Sequence, residues 1–470
     1  MMRALRPRQL PLPHGLRRGL GGGFLWGLLG GLLAACGGVE APPSVVMVVG
    51  DTLRADKLGC MGGPEGLTPY LDRIAAAGVR FDQARSHAPW TLPSTASMLT
   101  SLHPEEHGAG GRLGRFTRLD DEVRTVVRSF RDRGYRTHAI VNVLFLDPEL
   151  FGVTRDFDTV DQQAFETNVD VRAADATTRA ALEWIEEHGD EGPFFLLVHY
   201  FDPHCVYAPP RAFRERWAEP GDRQGDWTFG TRPQMVAIRE GDLSPAAATI
   251  RRAEALYDGE VAYLDAQIGR LDDGLAARGH RDDLVLVVTA DHGEEFLDHG
   301  GFEHGHTLYD ELVRVPLLIR APGELAPAVV SAPARHIDLA PTLCELCDLP
   351  QPAQFVGRSL LPLARGEAGA PRPTLAHGNM WARPQTSWTS DGWKLIVRDG
   401  VAPQLFHVAE DPDELRDLAE GAPEQLARLQ AELEAVEAGM QALRRGEAAE
   451  LDPATRQVLS GLGYGGGEER

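Results

Sequence analysis

Short unbroken runs of β-branched and aliphatic residues recur along the chain. Val45-Val46-Met47-Val48-Val49 is the first, and His138 to Val141, Phe194 to His199, Leu284 to Thr289 and Val315 to Arg320 follow. Unbroken apolar runs of this length predict strands buried on both faces of a parallel sheet. Between them lie stretches with the helical period: Pro69 to Ala77, Asp121 to Arg133, Arg172 to Glu187 and Ala253 to Ala277. The alternation predicts an α/β fold, a mostly parallel sheet sandwiched by helices.

The amino terminus follows a different logic. Arg3, Arg6, Arg8, Arg17 and Arg18 flank the start of a Gly/Leu-rich run, Leu20 to Leu33, which leads into Ala34-Ala35-Cys36. The run is shorter than the roughly 20 apolar residues of a membrane span and has the size of a signal-peptide core. Small residues before Cys36 resemble a bacterial lipobox. Residues 1–35 are therefore expected to be a signal peptide, with Cys36 lipidated and residues 36–43 a linker. The protein is expected to be exported and anchored to a membrane by its lipid, facing the periplasm or the cell surface.

Of 470 residues, 47 are Lys or Arg and 69 are Asp or Glu, a formal charge of −22. So acidic a chain lacks the basic patches that bind nucleic acid by counterion release, and no nucleic-acid partner is expected. Its two lysines are Lys57 and Lys394, the sole candidates for any step that needs one. Five cysteines in this length do not make a disulfide scaffold. Cys344 and Cys347 share one face of a helix predicted over Pro341 to Leu346, where they are expected to pack.

Ligands of an open parallel sheet gather beyond the carboxyl ends of its strands. The first strand is followed by Gly50-Asp51-Thr52, the Phe194 strand by Tyr200-Phe201-Asp202-Pro203-His204, and the Leu284 strand by Ala290-Asp291-His292-Gly293-Glu294. The His138 strand ends at Asn142. Carboxylates and imidazoles converging at strand ends suggest a metal site, and oxygen-plus-imidazole donors suit Zn²⁺, Mn²⁺, Mg²⁺ or Ca²⁺. A further segment, Ala88-Pro89-Trp90-Thr91-Leu92-Pro93-Ser94-Thr95, opens a Ser/Ala/Leu helix. Pro93 is tolerated near a helix start, which puts Thr91 at or next to the N-cap. Thr91 is then either a capping residue or a hydroxyl at an anion-binding helix terminus, where a nearby metal would make it a nucleophile.

Taken in order, these segments resemble the sulfatase / alkaline-phosphatase superfamily. The resemblance rests on Val48 to Asp56, Trp90 to Leu102 with Pro104 and His107-Gly108, Asp202-Pro203-His204, and Thr289 to Glu295. It continues through His304-Gly305-His306-Thr307-Leu308-Tyr309-Asp310-Glu311 and Arg314-Val315-Pro316. It implies an alkaline-phosphatase-like catalytic domain over 44–370, a small C-terminal α+β subdomain over 371–445, and a tail over 446–470. It also implies a divalent metal (Zn, Mn, Ca or Mg) held by Asp51, Asp291 and His292 and completed by Thr91. One ion is the simpler arrangement; Asp202, His204, His304 and His306 could build a second site. His204, His304 and His306 would meet the transferred oxyanion or the leaving group, with His107 near the site.

The departures from the family bear on chemistry. Sulfatases oxidise a Cys or Ser in a Cys/Ser-x-Pro-x-Arg context to formylglycine. Here Thr91 stands at that position, which cannot yield the aldehyde, and Thr95 replaces the Arg. Ser331-Ala332-Pro333-Ala334-Arg335 fits the short pattern but lies after the metal motif with no suitable helix behind it. Neither lysine matches a sulfate-binding position. The Asn expected after His107-Gly108 is missing, and Arg112 or Asn142 would take its place at the substrate. A formylglycine hydrate expels sulfate through its second hydroxyl, whereas a Thr ester must be opened by water. The expectation is a metal-dependent hydrolase or transferase for phosphate esters, ahead of sulfate esters, on an anionic small molecule, glycan or lipid headgroup. A true sulfatase is one alternative. A catalytically idle anion-binding lipoprotein is the other, and the joint presence of Asp51, Asp291 and His292 argues against it.

Overall fold

The computed structural model describes residues 42–112, 114–163, 171–217, 232–239, 241–440 and 447–461. The expected signal peptide and Cys36 lie outside these residues. Eight strands form the main sheet: Ser44–Gly50 (β1), Val79–Phe81 (β2), Arg136–Val141 (β3), Thr159–Gln162 (β4), Phe194–Tyr200 (β5), Leu284–Ala290 (β6), Leu317–Arg320 (β7) and Ala328–Val330 (β8). Their order across the sheet is β8-β2-β7-β6-β1-β5-β3-β4. Only β7 runs against the rest. β1, β5 and β6 are buried at every position, which is why their sequences do not alternate. β7 begins at Leu317 rather than Val315, because Pro316 has no N–H to give a ladder.

Helices Pro69–Ala77 (α1), Thr91–Thr100 (α2), Val126–Asp132 (α3), Ala174–His188 (α4), Ala247–Ala277 (α5) and Leu339–Leu346 (α6) connect or cover these strands. α3 is shorter than its amphipathic pattern. The Asp120 carboxylate accepts from Glu122 N–H and its carbonyl from Val123 N–H, so the chain turns there before helix can start.

Register decides what the sheet edge presents. Gly50 pairs with Tyr200 of β5 and with Ala290 of β6. The three central strands therefore end level, and Asp51 and Asp291 emerge side by side. Val49 pairs with His199, so His199 shares a face with Val49 and Asp51.

Beyond the main sheet, Thr374–His377 (β9), Gln385–Ser390 (β10), Trp393–Arg398 (β11) and Val401–Phe406 (β12) form an antiparallel sheet in chain order. The acidic amphipathic pattern expected from Ala422 is helix Pro423–Gly439 (α7), whose Leu429 and Leu433 pack on Leu375, Trp388, Leu395 and Leu405. Both lysines are structural. Lys394 Nζ is fully buried, 2.8 Å from Asp310 Oδ1 and 2.9 Å from Glu414 Oε1, and Arg85 Nη2 reaches Asp310 Oδ2 at 2.6 Å. Lys57 Nζ pairs with Glu254 at 2.7 Å and Asp258 at 2.9 Å. Part of the expected tail is anchored: Ala449 N–H donates to Phe116 O at 2.9 Å, and Ala449, Leu451 and Leu459 pack on the core.

Candidate active site

The level strand ends gather buried charge. Asp51 and Asp291 are fully buried, and both oxygens of Asp51 and Oδ2 of Asp291 have no hydrogen-bond partner among the described residues. His292 Nε2 lies 3.7 Å from Asp51 Oδ1 and 3.4 Å from Asp291 Oδ2. His199 Nε2 lies 3.6 Å from Asp51 Oδ2. Ligand atoms of Asp51, His199 and Asp291 all fall within 4.8 Å of one another. The His292 Nδ1 is 2.9 Å from Gly293 O and donates to it, so its Nε2 carries the lone pair toward the carboxylates. Thr52, between the two halves of this centre, takes φ 59. A β-branched residue there costs on the order of 1–3 kcal/mol. The turn is held by Thr52 N–H donating to Asp291 Oδ1 at 3.2 Å and by Tyr257 Oη donating to Thr52 O at 2.7 Å.

Burial pushes the Asp51 carboxyl well above the usual range, and Asp291 and Glu294 push it further. Burial acts on Asp291 too, but His292 and His199 outweigh it and hold that carboxyl low. Burial lowers His199 to about 4, which keeps its imidazole neutral, the form that binds metals. Desolvated carboxylate oxygens without donors are costly unless a cation meets them. The residues present therefore fit a divalent cation held by oxygen and imidazole.

Thr91 is the first residue of α2, after Trp90, and no side chain caps that terminus. Its hydroxyl is not spent as a cap: Oγ1 lies 3.5 Å from His292 Nε2 and is close enough to Asp291 to donate to its carboxylate. Every residue of α2 is buried. Ser94 Oγ donates to Asp291 O at 2.6 Å, tying the helix that carries Thr91 to the strand end that carries Asp291 and His292.

His304 stands against this centre, its ring centroid 4.5 Å from that of His292 and 4.9 Å from that of His204. Burial lowers His204 to about 4. The other expected residues are placed differently. His306 Nε2 is 2.8 Å from Glu295 Oε2 and is directed to that carboxylate. His107 Nδ1 accepts from Ala109 N–H at 3.1 Å, and its Nε2 meets Pro93 O at 3.2 Å and Ser97 Oγ at 3.1 Å. Nε2 thus braces α2 and Nδ1 holds the turn at Ala109, and neither is turned to a substrate. The Asn142 amide donates to His199 O and, at 3.0 Å, to Thr177 Oγ1, bracing the end of β5. Arg112 is exposed and donates from Nε to Ala382 O at 2.9 Å. Asp202, considered for a second ion, bonds Glu260, and burial raises it to about 6.

His199 is a site residue that the strand pattern hid inside an apolar run. The signal available was a histidine closing a fully buried strand beside the Asp51 strand. Glu294, at the end of Asp291-His292-Gly293-Glu294, was another: it is fully buried next to His304.

A buried carboxylate–imidazole centre at the carboxyl edge of a mostly parallel sheet, faced by a helix-terminal hydroxyl, defines an ester-bond hydrolase of the alkaline-phosphatase-like fold. Comparison with known proteins makes this specific. Residues 43–349 match the Sulfatase family model and residues 297–441 the model for the C-terminal region of N-sulphoglucosamine sulphohydrolase, so the chain belongs to the sulfatase family. It is 25% identical over 430 residues to the uncharacterized sulfatase YidJ of Escherichia coli (strain K12), covering 80% of this chain and 83% of that one. It is 23% identical over 442 residues to an arylsulfatase of Clostridium perfringens (strain 13 / Type A), covering 80% and 90%. In fold it is similar to BT4656, solved with its substrate D-glucosamine-2-N,6-O-disulfate (TM-score 0.69, 22% identity, 84% of this chain and 98% of that). It is also similar to the phosphonate monoester hydrolase of Agrobacterium radiobacter (TM-score 0.68, 20% identity, 84% and 96%).

Proposed function

We propose that the protein hydrolyses phosphate esters, mono- or diesters, through Thr91 as the nucleophile. The observation that carries this reading is the placement of Thr91 Oγ1 at the start of a buried helix, 3.5 Å from His292 Nε2 and within reach of the Asp291 carboxylate. A divalent cation (Zn, Mn, Ca or Mg) held by Asp51, Asp291 and His292, with His199 beside them, would acidify the Thr91 hydroxyl and offset the charge of the bound oxyanion. Thr91, its hydroxyl proton lost to water, attacks the phosphorus, and the alcohol leaves with a proton from His304. The threonine ester has no second hydroxyl through which to collapse, so water or an acceptor alcohol opens it and restores Thr91. The helix N-terminus would meet the oxyanion without a lysine.

Sulfate-ester hydrolysis is the second reading, and the family match and its sulfatase relatives favour it. For either ester the substrate class is an anionic small molecule, glycan or lipid headgroup. The amino-terminal pattern supports an exported lipoprotein anchored through Cys36. Radiolabelled palmitate on the wild type and none on Cys36→Ala tests that anchor.

The enzymatic test is a panel of 4-nitrophenyl phosphate, bis-4-nitrophenyl phosphate, phenylphosphonate monoester and 4-nitrophenyl sulfate on metal-loaded protein. Phosphorus esters should be turned over fastest, with Thr91→Ala reduced by at least 10³-fold, the loss expected of a missing nucleophile. An adduct trapped on Thr91 would carry phosphate by accurate mass. Turnover unaffected by Thr91→Ala would sink the Thr91 mechanism, and turnover of the sulfate alone would select the second reading.

A further inference from the structure

The geometry points to Glu294, held by Tyr207, as the residue that orients His304 toward the leaving group. This rests on the proposed reading in which His304 meets the departing oxygen. Glu294 is fully buried, and its Oε1 lies 2.8 Å from His304 Nδ1. Its other oxygen, Oε2, accepts from Tyr207 Oη at 2.9 Å. The backbone carbonyl of Glu294 accepts from Arg54 Nη1 at 3.0 Å, which locks the main chain beneath the carboxylate. Tyr207 is itself fully buried between Tyr257, at 5.8 Å between ring centroids, and Phe296, at 5.6 Å. The carboxylate is therefore clamped from both sides and cannot swing away from His304.

The consequence is a defined tautomer. With Nδ1–H donating to Glu294, the neutral ring keeps its lone pair on Nε2, and the protonated ring presents Nε2–H. The ring plane is fixed between the rings of His292 and His204. In the step served, the P–O bond to the alcohol breaks as the Thr91–O–P bond forms. The Nε2 proton passes to the leaving oxygen while Nδ1–H stays donated to Glu294. Glu294 and Tyr207 touch neither substrate nor metal ligand oxygen in this scheme; they are positioning residues.

Leaving-group dependence tests this, because a general acid matters most when the departing alkoxide is a poor one. The probes are phosphate esters of 4-nitrophenol, phenol and a simple alkyl alcohol, with metal-loaded wild type, Glu294→Gln, Tyr207→Phe, His304→Ala and Thr91→Ala. Glu294→Gln should lose about 10–100-fold in kcat/KM on the alkyl ester, the usual scale for an outer-shell partner, with the loss shrinking as the leaving group improves. Tyr207→Phe keeps the packing ring and should show the same trend at smaller size. Glu294→Gln should add little in a His304→Ala background, since the two act through one atom. A loss equal across all leaving groups, or full additivity with His304→Ala, overturns the positioning role. If Thr91→Ala leaves turnover unchanged, the underlying mechanism fails instead, so the two failures are distinguishable.

Discussion

Replacing Asp51 by asparagine separates the stability of the metal-free protein from its response to a cation. Asp51 is fully buried, neither of its oxygens has a hydrogen-bond donor, and Asp291 and Glu294 add like charge nearby. Folding raises its pKa, so the folded chain binds that proton more tightly than the unfolded chain. The metal-free wild type therefore loses stability as pH rises from the ordinary carboxylate range through the raised folded value. At pH 8 the isosteric asparagine, which does not titrate, should stabilise the chelated protein by about 1–3 kcal/mol. For a chain of this length the unfolding entropy is about 1 kcal/mol/K, so the melting temperature should rise by about 1–3 °C. A cation at 100 times its Kd should add about 2.7 kcal/mol to the wild type, or about 3 °C, and next to nothing to Asp51→Asn. Calorimetric melts in chelator and in Mn²⁺, Zn²⁺, Ca²⁺ or Mg²⁺ read both effects without any substrate. A full cation-dependent rise in Asp51→Asn, or none in the wild type with any of the four ions, would refute the assignment of this centre.

Two further outcomes concern the frame around the site. Lys394→Met leaves Asp310 and Glu414 buried with one cation fewer. Chemical denaturation should show a loss of about 3–5 kcal/mol, largely recovered by adding Glu414→Gln, which neutralises the orphaned charge. A stability unchanged by Lys394→Met would show that this network does not hold the fold. His299 is opposed by burial but raised to about 9 by Glu311, 2.8 Å from its Nδ1, and by Glu414. A histidine with a raised folded pKa contributes stability fully present below its unfolded value near 6.5 and lost as pH climbs toward about 9. The wild-type minus His299→Gln stability difference should fall over that window; a flat difference would contradict the pairing.

The fold was legible because β1, β5 and β6 are buried on both faces, and that burial leaves an unbroken apolar run in sequence. Asp51, Asp291 and His292 were legible for the same reason, since each directly follows such a run. Thr91 was legible through Pro93, which marks a helix start. Local pattern could not separate histidines that serve the site from histidines that brace it. His107 and His304 both stand in polar sequence directly before a glycine, yet one braces Pro93 and Ser97 while the other stands against His292.

The sequence by itself determined the strand and helix periods, the identity of the residues closing the central strands, and the absence of a suitable lysine, because these depend on neighbours along the chain. Tertiary structure alone decided that His199 joins Asp51, that His306 is drawn off to Glu295, that Lys57 and Lys394 are consumed in buried ion pairs, and that Glu294 clamps His304. Each of these depends on sheet register or on packing between distant segments. The side chains that end up in contact are chosen by the whole core rather than by local preference.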